Sequence, residues 1–135
     1  MPPLIIQDIT NIFENLDFKA FAGKIVRVIV APNGAEQPRS FFEGMTDFAI
    51  QECKAKGLAW LKVNEDRTLQ GPIAKFINEE ATEKMLTQIG AKAGDALFFI
   101  AEVPKIIEKL AGQIRTELGI RLDILEKDIY RFCWI

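Results

Sequence analysis

Apolar side chains at helical spacing mark four stretches of the chain. Residues 4–16 and 39–56 each place their apolar side chains on one face of a helix. A third helix is predicted from Asn78, because asparagine is a favoured N-cap and glutamates follow it. Residues 103–119 carry the most regular pattern, which ends at Gly119. The face predicted for the first helix consists of Ile5, Ile9, Ile12, Phe13 and Leu16.

Four predicted strands alternate with these helices. The β-branched run 24–31 and the apolar run 95–101 have high strand propensity. Residues 58–63 and 72–77 are predicted to pair as a hairpin, joined by the polar connection 64–71. The elements therefore follow one another as a helix and then β-α-β-β-α-β-α.

This order predicts an α+β fold. One hairpin between two βα units is typical of a two-layer sandwich, in which helices pack on one face of a four-stranded, mainly antiparallel sheet. The tail, 130–135, reads as a further strand. Such an apolar strand would expose an unpaired edge. Either it pairs with this sheet or it begins another region, and the residues alone leave both alternatives open.

The alternation of side chains across a strand gives the predicted sheet two different faces. One is wholly apolar and suits the helices; it consists of Val26, Val28, Val30, Leu61, Val63, Ala74 and Phe76. The other face would hold Arg27, Trp60, Lys62 and Lys75, with one of Phe98 or Phe99. Aromatic and basic side chains on an open sheet can stack on bases and pair with phosphates. The alternative, which we favour, is that Trp60 is packed and the lysines extend past apolar neighbours to solvent.

Polar residues also lie in the hairpin connection and on the last helix. Arg67 and Gln70 lie in the connection 64–71, which is either a plain polar tip or a loop that reaches a ligand. On the last helix, three basic side chains alternate with two glutamates, so a solvated face is expected there. The five charged residues are Lys105, Glu108, Lys109, Arg115 and Glu117.

Composition narrows the functional classes. The chain has 135 residues, enough for one domain with its own core, and a formal net charge of −2, so any RNA contact must come from a local basic patch. Histidine is absent, which removes the commonest general base and metal ligand. No phosphate-binding glycine motif occurs. Cys53 and Cys133 are expected to be reduced thiols rather than a disulfide, and no apolar run is long enough to span a membrane.

The hairpin and its surroundings resemble a known family. The segments "AKGLAWLKVNEDRTLQGPIAKF", "GDALFFIA" and "EKDIYRFCWI" are similar to the insertion domain of bacterial-type aspartyl-tRNA synthetase, a class II enzyme. That insertion is called the GAD domain, and the E subunit of the archaeal tRNA-dependent amidotransferase carries a related one. The resemblance runs from residue 18 to residue 135 and implies a GAD/DCoH-like architecture.

The resemblance also implies a domain organisation. Residues 1–135 would form a single GAD-type insertion domain, with an N-terminal helix and entry segment over 1–23 and an α+β core over 24–119. Residues 120–135 would be a return segment toward a missing catalytic core, so that Ile135 would be a cut rather than a natural end.

The activity implied by the resemblance belongs to the parent enzyme. It joins aspartate to its tRNA through an aspartyl-adenylate, using ATP and Mg²⁺. The motifs of its catalytic core do not occur in this chain, so no catalytic, cofactor-binding or metal-binding residue is assigned, and the domain alone is expected to be inactive. The implied partners are tRNA(Asp) and the catalytic core of the same chain, within a cytoplasmic homodimer that does not bind membranes.

The expected role of the domain is to position the acceptor end of tRNA or to pack on the core. Candidate contact residues for either role are Arg27, Trp60, Lys62, Arg67, Gln70 and Lys75. Two alternatives remain open: the equivalent domain of the archaeal glutamyl-tRNA(Gln) amidotransferase, and a stand-alone α+β module that binds a small ligand or a protein.

Overall fold

The computed structural model describes residues 4–14, 21 and 23–133, the stretch 124–133 as helical backbone only. Short 3-10 turns at Gly34–Glu36 and Ala74–Phe76 separate the regular elements. The strands are β1 (Ile6–Asp8), β2 (Ile25–Ala31), β3 (Ala59–Val63), β4 (Leu69–Gln70) and β5 (Ala96–Glu102). The helices are α1 (Thr10–Glu14), α2 (Arg39–Gln51), α3 (Glu79–Ile89) and α4 (Pro104–Cys133).

The described strands form one antiparallel sheet in the order β1-β2-β5-β3-β4. β5 lies in the middle, with Phe99 opposite Val28 of β2 on one side and opposite Ala59 of β3 on the other. The α+β class and the mainly antiparallel sheet are thus confirmed. The predicted number of four strands is wrong, because the chain before β2 contributes the edge strand β1.

Helices cover both faces of the sheet, so the expectation of a two-layer sandwich with helices on one face is wrong. Two neighbouring residues of β5 illustrate this: the Phe98 ring lies 5.5 Å from Phe42 of α2, and the Phe99 ring lies 5.8 Å from Phe13 of α1. Helices α2 and α4 share the first core, and α1 and α3 share the second. The physical reason lies in β5. Its run "ALFFI" is buried at every position, so apolar partners must pack on both faces of the strand.

The predicted N-terminal helix over 4–16 is replaced by β1 and the short helix α1. Asp8 starts the helix by accepting a hydrogen bond from the backbone N–H of Thr10 at 3.0 Å. β1 is extended because its backbone pairs with β2. Ile5 is consequently 69% exposed, whereas Ile9 is fully buried, and Leu16 lies outside the described residues.

The predicted strand over 72–77 is also wrong. The second strand of the hairpin is β4, and Gly71 and Pro72 then turn the chain into the 3-10 turn at Ala74–Phe76. Burial follows the turn: Ile73 and Ile77 are buried, while Phe76, predicted to face the core with Ala74, is 39% exposed. A proline and a glycine at this point favour a turn over further pairing.

The last helix continues well beyond its predicted end at Gly119. α4 runs to Cys133, so residues 130–133 of the predicted terminal strand are helical, and residues 134–135 lie outside the described chain. A glycine inside a helix costs only about 1 kcal/mol. Leu118 and Leu122 keep the helix packed on the core on either side of Gly119, so that cost does not end it.

The predicted starts of α2 and α3 agree with the structure. The Asn78 side chain accepts a hydrogen bond from the backbone N–H of Ala81 at 2.8 Å, and Gly90 closes α3 with φ +69°. α2 ends at Gln51 rather than at Gly57. Lys54 takes the left-handed conformation there, with φ +62°, and the N–H of Ala55 bonds back to the carbonyl of Ala49.

Candidate functional site

The hairpin surface consists of Trp60, Lys62, Arg67, Gln70 and Lys75, on or beside β3 and β4. Trp60 is half-buried, and its ring stacks on that of Phe42 with centroids 4.4 Å apart. The Lys62 Nζ lies 5.1 Å from the centroid of the same Phe42 ring and donates a long hydrogen bond, 3.5 Å, to the carbonyl of Gln37. Both side chains therefore contact α2 or the loop before it, and α2 covers the face that helices on one side only would have left open.

The tip of the hairpin is held by its own polar groups. Asn64 and Thr68 bond through backbone and side chain, and the Asp66 carboxylate accepts from both the hydroxyl and the N–H of Thr68. These hydrogen bonds lower the pKa of Asp66. Arg67 sits at the bend with φ +67°, and its guanidinium donates to the Glu83 carboxylate of α3 at 3.4 Å.

Gln70 and Lys75 are exposed members of the hairpin surface, as is Arg67. Gln70 lies opposite Lys62 in the pairing of β3 with β4. The Lys75 Nζ lies 5.2 Å from the centroid of the Phe76 ring, a cation–π distance. Gly71 between them has φ +150°, and a Cβ there would lie 2.7 Å from the carbonyl oxygen of Trp60. Only glycine suits that position.

Arg27 belongs to another part of the sheet. It lies in β2, which β5 separates from β3. Its guanidinium bridges two carboxylates, with Nε 2.9 Å from Asp8 and Nη2 3.1 Å from Glu108. Burial acts to raise the pKa of Asp8, but hydrogen bonds from Thr10 and Arg27 outweigh it, and the pKa lies below its ordinary value. Arg27 thus links the edge strand β1 and the helix α4 to β2, an inner strand of the sheet.

The sequence prediction therefore grouped residues that the fold separates. Trp60, Lys62 and Gln70 lie together along β3 and β4, whereas Arg27 lies elsewhere. Arg27 and Arg67 form ion pairs within the chain, and Trp60 and Lys62 contact Phe42. These contacts build the domain. They leave the prediction that the six residues meet tRNA or a core untested.

A second charged surface lies on the outward side of α4, where the sequence predicted only a solvated face. We call Lys105, Lys109, Gly112, Arg115 and Thr116 the outer α4 surface. The two glutamates that alternate with its cations both bind arginines: Glu108 binds Arg27, and Glu117 binds Arg121 at 2.7 Å. The second pair is an i,i+4 pair visible in the sequence. The first joins residues far apart in the chain, and no local pattern indicates it.

Groups suited to catalysis or metal binding are scarce in the described part of the chain. There, no cluster of three or more Cys, Asp or Glu side chains could hold a metal ion. Burial, followed by the charges of Glu52 and Glu117, raises the pKa of the Cys53 thiol, which disfavours the reactive thiolate. Within the same residues, none of the helices is long and apolar enough to cross a membrane.

Comparisons with known proteins give a consistent result. The family model described as GAD domain matches residues 18–111. The chain is 44% identical to the aspartate–tRNA(Asp/Asn) ligase of Ehrlichia chaffeensis over 138 residues, and 44% identical to the aspartate–tRNA ligase of Streptomyces avermitilis over 132 residues. Each match covers 98% of this chain. The chain spans only 23% and 22% of the length of these two relatives.

Proposed function

Because this chain belongs to the GAD domain family, we propose that it serves as a noncatalytic insertion domain of an aspartate–tRNA ligase. The observation that carries the proposal is the 44% identity over 98% of the chain to two enzymes named as such ligases. The matching segment is less than a quarter of each enzyme. The chemistry is therefore assigned to the remainder of the protein.

The reaction that we propose for the whole protein attaches aspartate to tRNA at the expense of ATP. We propose that ATP and Mg²⁺ are held by the catalytic core. We propose that the core and tRNA(Asp) are the partners of the domain, within a cytoplasmic homodimer. Residues 1–135 would act as a single unit with entry, core and return segments.

Within the domain, we propose that the hairpin surface contributes mainly by shaping the fold. Trp60, Lys62 and Arg67 have partners within the chain, and so has Arg27 on β2. Gln70 and Lys75 are exposed. Of the six candidate contact residues, these two are the best placed for a contact with RNA or with the core. The domain would thereby assist in positioning the acceptor end of tRNA.

The experiment uses the full gene product that contains this chain. We expect it to form aspartyl-adenylate, measured by ATP–pyrophosphate exchange, and to charge tRNA(Asp). Replacing residues 24–119 with a short linker should reduce tRNA charging far more than the exchange reaction. An intact gene product that charges no tRNA with aspartate would contradict the proposal. Equal losses of both reactions in the deletion variant would argue that the domain supports the core rather than the tRNA.

A further inference from the structure

The outer α4 surface carries three cations without a carboxylate partner among the described side chains. Lys105, Lys109 and Arg115 take part in none of the described ion pairs, whereas the acids beside them do. Glu108 is bound by Arg27, and Glu117 is bound by Arg121. Glu117 is thus compensated by an arginine outside the surface, and Glu108 shares its arginine, Arg27, with Asp8. Among these groups, five cations outnumber three carboxylates, so the charge is locally positive although the chain as a whole has a net charge of −2.

The same side of α4 forms a shallow groove of about 540 Å³. Lys109 and Arg115 border it, and Gly112 lies between them in the helix. A Cβ at Gly112 would meet nothing within 4 Å, so the helix backbone is accessible at this point. The remaining border combines two glutamates that are paired with arginines, Glu108 and Glu117, with the neutral groups of Gln113, Thr116 and Phe48. A strand of nucleic acid could therefore approach closely between two cations.

We propose that the outer α4 surface binds backbone phosphates of the tRNA, an inference that rests on the proposed function. The three cations spread over about 15 Å of helix axis, at 1.5 Å per residue, which suits several phosphates of one RNA backbone better than a single small anion. Lysine and arginine that neutralise phosphates release counterions, so the contact should depend strongly on salt. Asp123 lies about 12 Å beyond Arg115 along the axis and does not line the groove.

The contrast with the hairpin surface supports this choice. Lys62 and Arg67 already bind groups of their own chain, and an RNA contact would have to displace those groups. Lys105, Lys109 and Arg115 have no such described contacts to lose. A contact with phosphates here carries no base specificity, because phosphate contacts position a nucleic acid without reading its sequence.

The test measures the affinity of the full gene product for a tRNA(Asp) transcript by filter binding across a salt series. Three neutral substitutions, K105Q/K109Q/R115Q, should lower the slope of log K against log salt by about 2 to 3, and should weaken binding about tenfold or more near 0.1 M salt. Glutamine is a good helix former, so α4 should persist. Circular dichroism and urea unfolding check that it does.

Two matched controls separate charge at this surface from charge or structure in general. The charge-conserving variant K105R/K109R/R115K should keep the wild-type slope, because the cations remain. The variant K54Q/K56Q/K92Q removes three exposed cations that also lie outside the described ion pairs, on other surfaces, and should lower the slope by less than about 1.

The outcomes distinguish this inference from the proposed function. Equal slopes for K105Q/K109Q/R115Q and K54Q/K56Q/K92Q, in a protein that charges tRNA with aspartate, would overturn the outer α4 surface alone. A gene product that does not charge tRNA with aspartate would contradict the proposed function. A reduced slope that the charge-conserving variant also shows would overturn the phosphate contact in favour of a structural role.

Discussion

The hairpin surface and the outer α4 surface contain similar side chains in opposite circumstances. On the hairpin, Arg67 pairs with Glu83 and Lys62 lies over the Phe42 ring, so these two cations are engaged within the fold. On α4, the anions are the engaged groups, since Glu108 and Glu117 each bind an arginine. The comparison shows that the availability of a charge depends on its partners more than on its exposure. Substitutions should therefore affect folding at the hairpin and RNA affinity at α4.

The largest expected effect is a loss of stability when the Phe42 ring, which lies beneath the hairpin surface, is removed. Phe42 is fully buried, stacks with Trp60 and Phe98, and lies under the Lys62 ammonium group. Phe42→Ala should reduce the free energy of unfolding by about 3–5 kcal/mol, because it leaves a cavity and removes both stacks. Urea denaturation checks this. Ile50→Ala, at a 39% exposed position on the same helix, should cost less than about 1 kcal/mol. Similar losses for the two variants would contradict the role of Phe42.

The next largest effect concerns the turn that ends the hairpin. Gly71→Ala places a Cβ at φ +150° and 2.7 Å from the carbonyl oxygen of Trp60. We expect it to destabilise the domain by about 2 kcal/mol or more, because the backbone must shift away from β3. Gly57→Ala is the control, since a Cβ there meets nothing within 4 Å. Thermal unfolding of the two variants provides the measurement, and a neutral Gly71→Ala would disprove the close approach.

A glycine in α4 should respond with the opposite sign. Gly119 is helical, and a Cβ there would meet nothing within 4 Å. Gly119→Ala should stabilise the domain by about 0.5–1 kcal/mol, because alanine loses less backbone entropy on forming the helix. An increase in helical circular dichroism and in the urea midpoint would support the continuous helix. A destabilised variant would indicate that α4 breaks at this point.

The smallest expected effect on stability comes from the ion pair between Asp8 of β1 and Arg27, the arginine that also binds Glu108 of α4. The pKa of Asp8 is lowered in the folded state, so its contribution to stability is complete above its ordinary value of 3.8 and is lost as the pH falls through the lowered folded value. The carboxylate is half exposed, and solvent screening limits this contribution to about 0.5 kcal/mol. Wild type and Asp8→Asn should therefore differ at pH 7 and converge below pH 3.8. A difference that grows on acidification would reverse the sign of the linkage.

Local sequence patterns correctly predicted the elements that are determined by interactions between residues close together in the chain. Helix α3 follows from Asn78 and Gly90, and the two faces of β2 and β3 follow from alternation. The wrong strand over 72–77 overlooked a local turn signal in Gly71 and Pro72, whereas two other errors arose where distant partners decide. β1 is extended because β2 pairs with it, and α4 passes Gly119 because Leu122 packs on the core.

The candidate site was harder to predict than the fold, for the same reason. Alternation correctly placed Trp60 and Lys62 on the face opposite Leu61, but it gave no sign that α2 covers that face. The uninterrupted apolar run of β5 was the available signal that both faces are buried. The pair between Arg27 and Glu108 joins β2 to α4, and spacing along the chain carries no information about it.

The difference between the two surfaces is tested most directly by removing three cations from each. The full gene product with K62Q/R67Q/K75Q and that with K105Q/K109Q/R115Q lose equal charge, so bulk electrostatics cannot separate them. In tRNA binding across a salt series, the α4 variant should lose about 2 to 3 units of slope and the hairpin variant less than about 1. A larger loss for the hairpin variant would contradict the assignment and return the RNA contact to the hairpin surface.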